Sequence, residues 1–184
     1  MELILASNSP RRKELLSKAG FSFKIIPSTD EEIADATLTP QKYTEQLAFN
    51  KAKNVFDVHG NVVIGADTIV YINGNILGKP KDRCDAEKML KTLSNKTHQV
   101  TTGYAIISSD LVIIGSETTL VTFNNLSNDV IQNYLDSNLW VGKAGSYGIQ
   151  DGYNLVKEIV GDYDNVVGLP VNKIANILRE RYEK

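Results

Sequence analysis

Two periods of apolar and polar positions alternate along this chain, and their switching predicts strands interleaved with helices in an α/β fold. Leu3 to Ala6 is a short apolar run that reads as a buried strand. Ser9 then reads as a helix N-cap, Pro10 as the first helical residue and Gly20 as the residue just past the end. Phe21 to Ile26 reads as a second strand, and Thr39-Pro40 opens a longer helix with Tyr43, Leu47 and Ala48 on one side. Val62 to Ala66 and Ile69 to Ile72 are rich in β-branched residues and read as strand. Asn73-Gly74 matches a type I′ hairpin turn that returns the chain through Ile76 and Leu77. Ala86, Met89, Leu90 and Leu93 share one face of a helix. Residues from about 97 to 124 read as a long hairpin turning near Ser109-Asp110. Ser127 caps a helix carrying Val130, Ile131, Tyr134 and Leu135, and Pro170 opens a last one carrying Val171, Ile174, Ala175 and Leu178. No repeat, low-complexity tract or Pro/Ser-rich linker interrupts the pattern, so residues 1–184 read as one domain.

Composition narrows the class. Hydrophobic residues at 42% and charged ones at 23% supply a packed core and exclude wholesale disorder. Lys and Arg number 20 against 22 Asp and Glu, a net charge of −2, which excludes the basic excess of a duplex DNA binder and a polybasic membrane patch. The longest apolar runs are about four or five residues, where a membrane span needs roughly 20. The first residues lack the basic and long apolar regions of a signal peptide. Cys84 has no second cysteine to pair with, which points to a reducing cytoplasm. The expectation is a cytoplasmic protein with no membrane or nucleic-acid partner.

Three stretches concentrate the candidate chemistry. In A-S-N-S-P-R-R-K-E-L-L, Ala6 to Leu16, a strand turns into a helix whose first turn holds Arg11, Arg12 and Lys13. Each cation there opposes the helix dipole by roughly 0.3–1 kcal/mol, and a bound anion reverses that cost. Free N–H groups, the Ser7 and Ser9 hydroxyls and two guanidinium forks would converge on such an anion. The alternative is a solvated cationic turn with Ser9 as a cap only. In G-A-D-T, Gly65 to Thr68, Asp67 interrupts a run that otherwise reads as buried sheet. A carboxylate there is hydrogen-bonded, paired, metal-bound or held at a cleft, and general base and metal ligand are both open to it. The alternative is a bulge or edge where Asp67 meets solvent. G-K-P, Gly78 to Pro80, fails as a P-loop by one residue of spacing and by Pro80 replacing Ser/Thr, though Lys79 can still reach a phosphate.

Other pieces carry less. Glu31-Glu32 can hold a divalent metal or be solvated, and Lys51 falls mid-helix, usually a solvent-facing position. Gly142 to Gln150 is glycine-rich and lets a ligand approach backbone. His59, His98 and Cys84 lack zinc-ligand spacing, and Cys84 before a helix face reads as a small packed side chain.

Taken in order, these stretches resemble the Maf family of nucleoside triphosphate pyrophosphatases, also called septum-formation inhibitors. The resemblance comprises LASxSPRRxELL at Leu5 to Leu16, the acidic pair Glu31-Glu32, LAxxKA at Leu47 to Ala52, GADT at Gly65 to Thr68 and GKP at Gly78 to Pro80. It continues through His98 to Thr101, KAGSYGIQ at Lys143 to Gln150 and GDYxNVVGLP at Gly161 to Pro170. No single stretch decides the matter; eight in collinear order are specific.

The resemblance implies a curved mixed sheet with two lobes flanking a deep cleft, similar to inosine triphosphate pyrophosphatases. It implies cleavage of the α–β bond of a nucleoside triphosphate with a divalent cation, Mg²⁺ or Mn²⁺. Asp67 matches the family's proton acceptor and, with Glu32 favoured over Glu31, its metal site. Ser7, Arg11, Arg12, Lys51, Thr68, Lys79 and Gln150 fall to substrate binding. SPRR, DT and Q at Arg12, Thr68 and Gln150 resemble the dTTP/UTP branch, whereas the 7-methyl-GTP branch tends to YRR and DQ. The substrate expected is dTTP, UTP or a modified pyrimidine nucleotide, in a house-cleaning role linked to cell-division arrest. Homodimers are common among similar proteins. The competing class is a nucleotide-binding regulator of septum formation without turnover.

Overall fold

The computed structural model describes residues 2–29, 34–35 and 37–182. Helix starts follow the capping chemistry expected. Ser9 caps α1 (Pro10–Lys18) by accepting from Arg12 N, and Thr39 caps α2 (Pro40–His59) by accepting from Lys42 N, each with proline at the helix start. Asp82 caps α3 (Arg83–Leu93) and Ser127 caps α4 (Asn128–Asp136) in the same way. Two short elements carried no clear periodicity, α5 (Tyr163–Val167) and strand β7 (Val156–Val160). The last helix, α6 (Val171–Tyr182), buries the four residues its spacing marked: Val171, Ile174, Ala175 and Leu178.

The other strands are β1 (Leu3–Leu5), β2 (Lys24–Ile25), β3 (Val62–Ile72), β4 (Asn75–Leu77), β5 (Thr97–Ile107) and β6 (Val112–Phe123). They form one mixed sheet in the order β2-β1-β3-β5-β6-β7, with β4 also paired to β3. β1 runs parallel to both β2 and β3, while β3/β4 and β6/β7 are antiparallel. Asn73 and Gly74 join β3 to β4 with φ of 51° and 81°, as a type I′ turn requires. The second strand is shorter than Phe21 to Ile26, because Phe21 and Phe23 pack into the core rather than pair. Val62 to Ile72 is a single strand that passes through Asp67 without a break.

By contact the chain divides into two units. The first comprises Met1–Thr68, Thr102–Glu117 and Gly168–Lys184. Its sheet has apolar clusters on two faces. Leu5, Ile64, Ala66 and Ile106 pack with Leu16, Ile174 and Leu178, while Ile4, Val63 and Ala105 pack with Ala48, Ala52 and Val55 of α2. Two glycines let α2 lie directly on the sheet. A Cβ on Gly65 would stand 2.2 Å from Ala48 O, and one on Gly103 would stand 2.2 Å from the Thr44 backbone. The second unit comprises Ile69–Thr101 and Thr118–Val167. Its core joins Val70, Val100, Val121 and Phe123 to Ala86, Leu90 and Leu93 of α3 and Ile131, Tyr134 and Leu135 of α4.

Candidate active site

In the first unit the register of β1 on β3 ends at Leu5 opposite Ile64. Gly65 to Thr68 therefore runs past the carboxyl end of a parallel strand, where residues 6–9 cross to the start of α1. Open α/β sheets bind ligands at such ends. Neighbours on a strand face opposite ways, so Asp67 shares the α2 face with Gly65, and Thr68 points to the other.

On the α2 face, Lys51 Nζ donates to Asp67 Oδ1 at 2.6 Å. The two side chains are only 13% and 10% exposed, so neither the solvent-facing reading of Lys51 nor the edge reading of Asp67 holds. Position in the middle of the helix misled for Lys51; its phase, four residues after Leu47 and three after Ala48, puts it on the buried face of α2, which packs on the sheet at Gly65. The ion pair fixes the carboxylate's direction. Among the described residues none donates a hydrogen bond to Asp67 Oδ2, the oxygen that can accept from water or bind a cation.

On the other face the Arg12 guanidinium acts as a clasp. Nε donates to Gly168 O at 2.8 Å, one terminal nitrogen to Ser7 Oγ at 3.1 Å and the other to Thr68 Oγ1 at 3.1 Å. Thr68 Oγ1 also shares a hydrogen bond with Thr102 Oγ1 at 2.9 Å. Ser7 Oγ further accepts from Ser9 N at 3.2 Å, so one hydroxyl braces both the loop and the helix start. A planar fork with five donors can hold three protein groups in place at once. Gly168 O and Thr102 were not anticipated. Their positions depend on chain returns 100 and 34 residues distant from Thr68, which no local motif encodes.

Arg11 lies half-buried in the first turn of α1. Lys79 and Gln150 belong to the second unit, both exposed. Their loops are joined to each other: Gly145 N donates to Gly78 O at 3.0 Å, and a Cβ on Gly145 would stand 2.7 Å from the Val70 side chain. Gly145 and Ser146 both take φ of 66°, which folds the glycine-rich segment back on itself. Glu31 and Glu32 lie outside the described residues. Among the described residues no group of three or more His, Cys, Asp or Glu gathers for a metal. Cys84, expected to be packed, is exposed in the first turn of α3 because the buried face begins at Ala86. His98 Nε2 and Tyr147 OH share a hydrogen bond at 2.7 Å in the second core, where burial lowers the His98 pKa to about 4 and raises that of Tyr147.

The fold belongs to a class already seen in solved structures. A HAM1 protein from Coxiella burnetii matches with a TM-score of 0.60 at 14% identity, covering 98% of this chain and 99% of that one. The Ham1 protein of Staphylococcus aureus matches with a TM-score of 0.55 at 13% identity, covering all of both chains. At these identities the likeness concerns the fold alone. Residues 2–181 match the family model described as Maf-like protein, and the chain belongs to that family. It is 48% identical over 187 residues to a dTTP/UTP pyrophosphatase of Ruminiclostridium cellulolyticum, covering 99% of this chain and 97% of that one. It is also 48% identical over 182 residues to a dTTP/UTP pyrophosphatase of Pyrococcus furiosus, covering 96% and 94%.

Proposed function

We propose that this protein hydrolyses dTTP and UTP to the nucleoside monophosphate and pyrophosphate, the whole chain acting as one Maf-like domain. The observation that carries the reading is the strand end at which Asp67, held by Lys51, adjoins Thr68, held by Arg12. The activity named for relatives up to 48% identical along nearly the whole chain supports it.

Phosphoanhydride hydrolysis needs charge neutralisation, an oriented water and a base, with little covalent work by the protein. Arg11, Arg12, Lys51 and Lys79 offset the triphosphate's charge, and Ser7 and Thr68 offer hydroxyls to its oxygens. Lys79 and Gln150 are assigned to substrate binding on the two joined loops of the second unit. Water adds to the α-phosphorus, its proton passes to Asp67 Oδ2, and the bond to the bridging oxygen breaks with its electron pair leaving on pyrophosphate. A magnesium site is commonly one or two carboxylates completed by substrate phosphates, a requirement that Asp67 with Glu32 fits. Mg²⁺ or Mn²⁺ held there would supply further neutralisation of phosphate charge.

A cytoplasmic setting belongs to this reading, supported by the lone exposed Cys84. No described helix is long and apolar enough to cross a membrane. The house-cleaning role and the link to cell-division arrest belong to the same proposal and rest on the family resemblance alone.

The test is release of monophosphate and pyrophosphate from a panel of nucleoside triphosphates, with and without Mg²⁺ or Mn²⁺, alongside Asp67→Asn. Metal-dependent turnover of dTTP and UTP is expected, falling roughly 10²–10⁴-fold in the variant while its melting transition stays cooperative. Near-normal turnover by Asp67→Asn removes that residue from catalysis. Nucleotide binding without turnover by the wild type favours a regulator of septum formation instead.

A further inference from the structure

The second unit contains a buried ion pair that hydrolysis, as described, does not use. Lys143 Nζ donates to Asp151 Oδ2 at 2.5 Å, with the two side chains 9% and 6% exposed. Tyr134 OH donates to the same oxygen at 2.6 Å and accepts from Gly148 N at 3.2 Å. Tyr134 is fully buried on α4, with the Tyr153 ring edge-on at 5.1 Å. The cluster is closed around Gly148: a Cβ there would stand 2.8 Å from both Asp151 carboxylate oxygens and from Lys143 Nζ.

Stability alone is a weak reason for such a pair, since apolar residues of similar volume often serve as well. What the three side chains share is the segment they hold. Lys143 and Asp151 bracket the glycine-rich loop, and Tyr134 ties down its middle at Gly148. Gln150, exposed, is the residue next to Asp151. The Gly145–Gly78 hydrogen bond carries the same restraint to the loop of Lys79.

We propose that Tyr134, Lys143 and Asp151 are positioning residues that hold Gln150 and the Lys79 loop ready for the nucleoside triphosphate. The proposal rests on the assignment of Lys79 and Gln150 to substrate binding made above. A loop ordered in advance lowers the cost of ordering it on binding. Loosening it acts on substrate affinity, whereas Asp67 and Lys51, in the first unit, keep their geometry.

The experiment is steady-state hydrolysis of dTTP by Tyr134→Phe, Gln150→Ala, Lys79→Ala and the double variant Tyr134→Phe/Gln150→Ala, each first checked by thermal unfolding. Tyr134→Phe is expected to raise KM roughly tenfold with kcat within about twofold. The loss in the double variant should be smaller than the two single losses combined, because part of the hydroxyl's effect passes through Gln150. A KM unchanged in Tyr134→Phe while Gln150→Ala raises it overturns the positioning role, and so does full additivity or a loss confined to kcat. Wild-type KM in both Gln150→Ala and Lys79→Ala defeats the underlying assignment instead. Should Tyr134→Phe not fold, Asp151→Asn gives the same readouts. Failure of both to fold makes the cluster structural and ends the proposal.

Discussion

Gly65→Ala tests how the catalytic pair is held. A Cβ at this position would lie 2.2 Å from Ala48 O, 2.8 Å from Ala52 N and 2.9 Å from Ala52 Cβ. Two of these are backbone atoms of α2, so rotamer changes cannot relieve the clash. The helix must retreat by about 1 Å to restore ordinary contact. Overpacking of this kind costs up to about 3 kcal/mol. In a chain of this length that lowers Tm by roughly 6–12 °C. The same retreat opens the 2.6 Å contact between Lys51 and Asp67 beyond hydrogen-bonding distance. Misplacement on this scale reduces turnover by roughly ten- to a hundredfold. The assay pairs thermal unfolding with pyrophosphate release from dTTP at 25 °C. Gly78→Ala, with nothing within 4 Å of its Cβ, is the stability control and should melt close to wild type. A Gly65→Ala protein with wild-type Tm and kcat would refute the argument that bare helix-on-strand contact sets the Lys51–Asp67 geometry.

Arg12→Lys keeps the charge but loses the fork to Ser7, Thr68 and Gly168, so chemical denaturation should show about 1.5 kcal/mol less stability. An unshifted midpoint would count against the clasp. Ser9→Ala removes the cap accepting from Arg12 N and should cost about 1 kcal/mol in the same experiment, with no change meaning that the cap is redundant. Burial holds His98 neutral, its pKa falling from 6.5 to about 4, so the unfolded chain binds the extra proton between those values. Stability from this group is complete above pH 6.5 and drains away as pH falls toward 4, by about 3 kcal/mol at most. His98→Gln should flatten unfolding free energy across that window; an unchanged slope would assign the acid sensitivity to other groups.

Local signals in the sequence carried much of the fold. Ser9-Pro10, Thr39-Pro40 and Ser127 mark helix starts because a cap satisfies backbone donors within three residues of itself. Asn73-Gly74 marks a hairpin because few residues tolerate two successive positive φ angles. Asp67 and Arg12 stood out by being chemically wrong for their places, a carboxylate inside a strand and a cation at a positive helix end. β7 and α5 gave little signal, being five residues each, too short for a period to show. Phe21 and Phe23 suggested a longer strand because β propensity does not say whether a residue pairs or packs.

The pairings needed the tertiary structure. Reading Lys51 from its mid-helix position made it a surface residue, although its spacing from Leu47 and Ala48 sets it on the buried face. That it meets Asp67 was decided by the approach of α2 to Gly65 through Ala48 and Ala52. Gly168 O and Thr102 join Arg12 and Thr68 from distant parts of the chain, and Asp151 meets Tyr134 from the next helix back. Sequence by itself determined which residues bear chemistry and where elements begin, since those depend on side-chain type and neighbours a few residues away. Which charges meet was decided by packing, because contact across a sheet is set by how closely whole elements can approach.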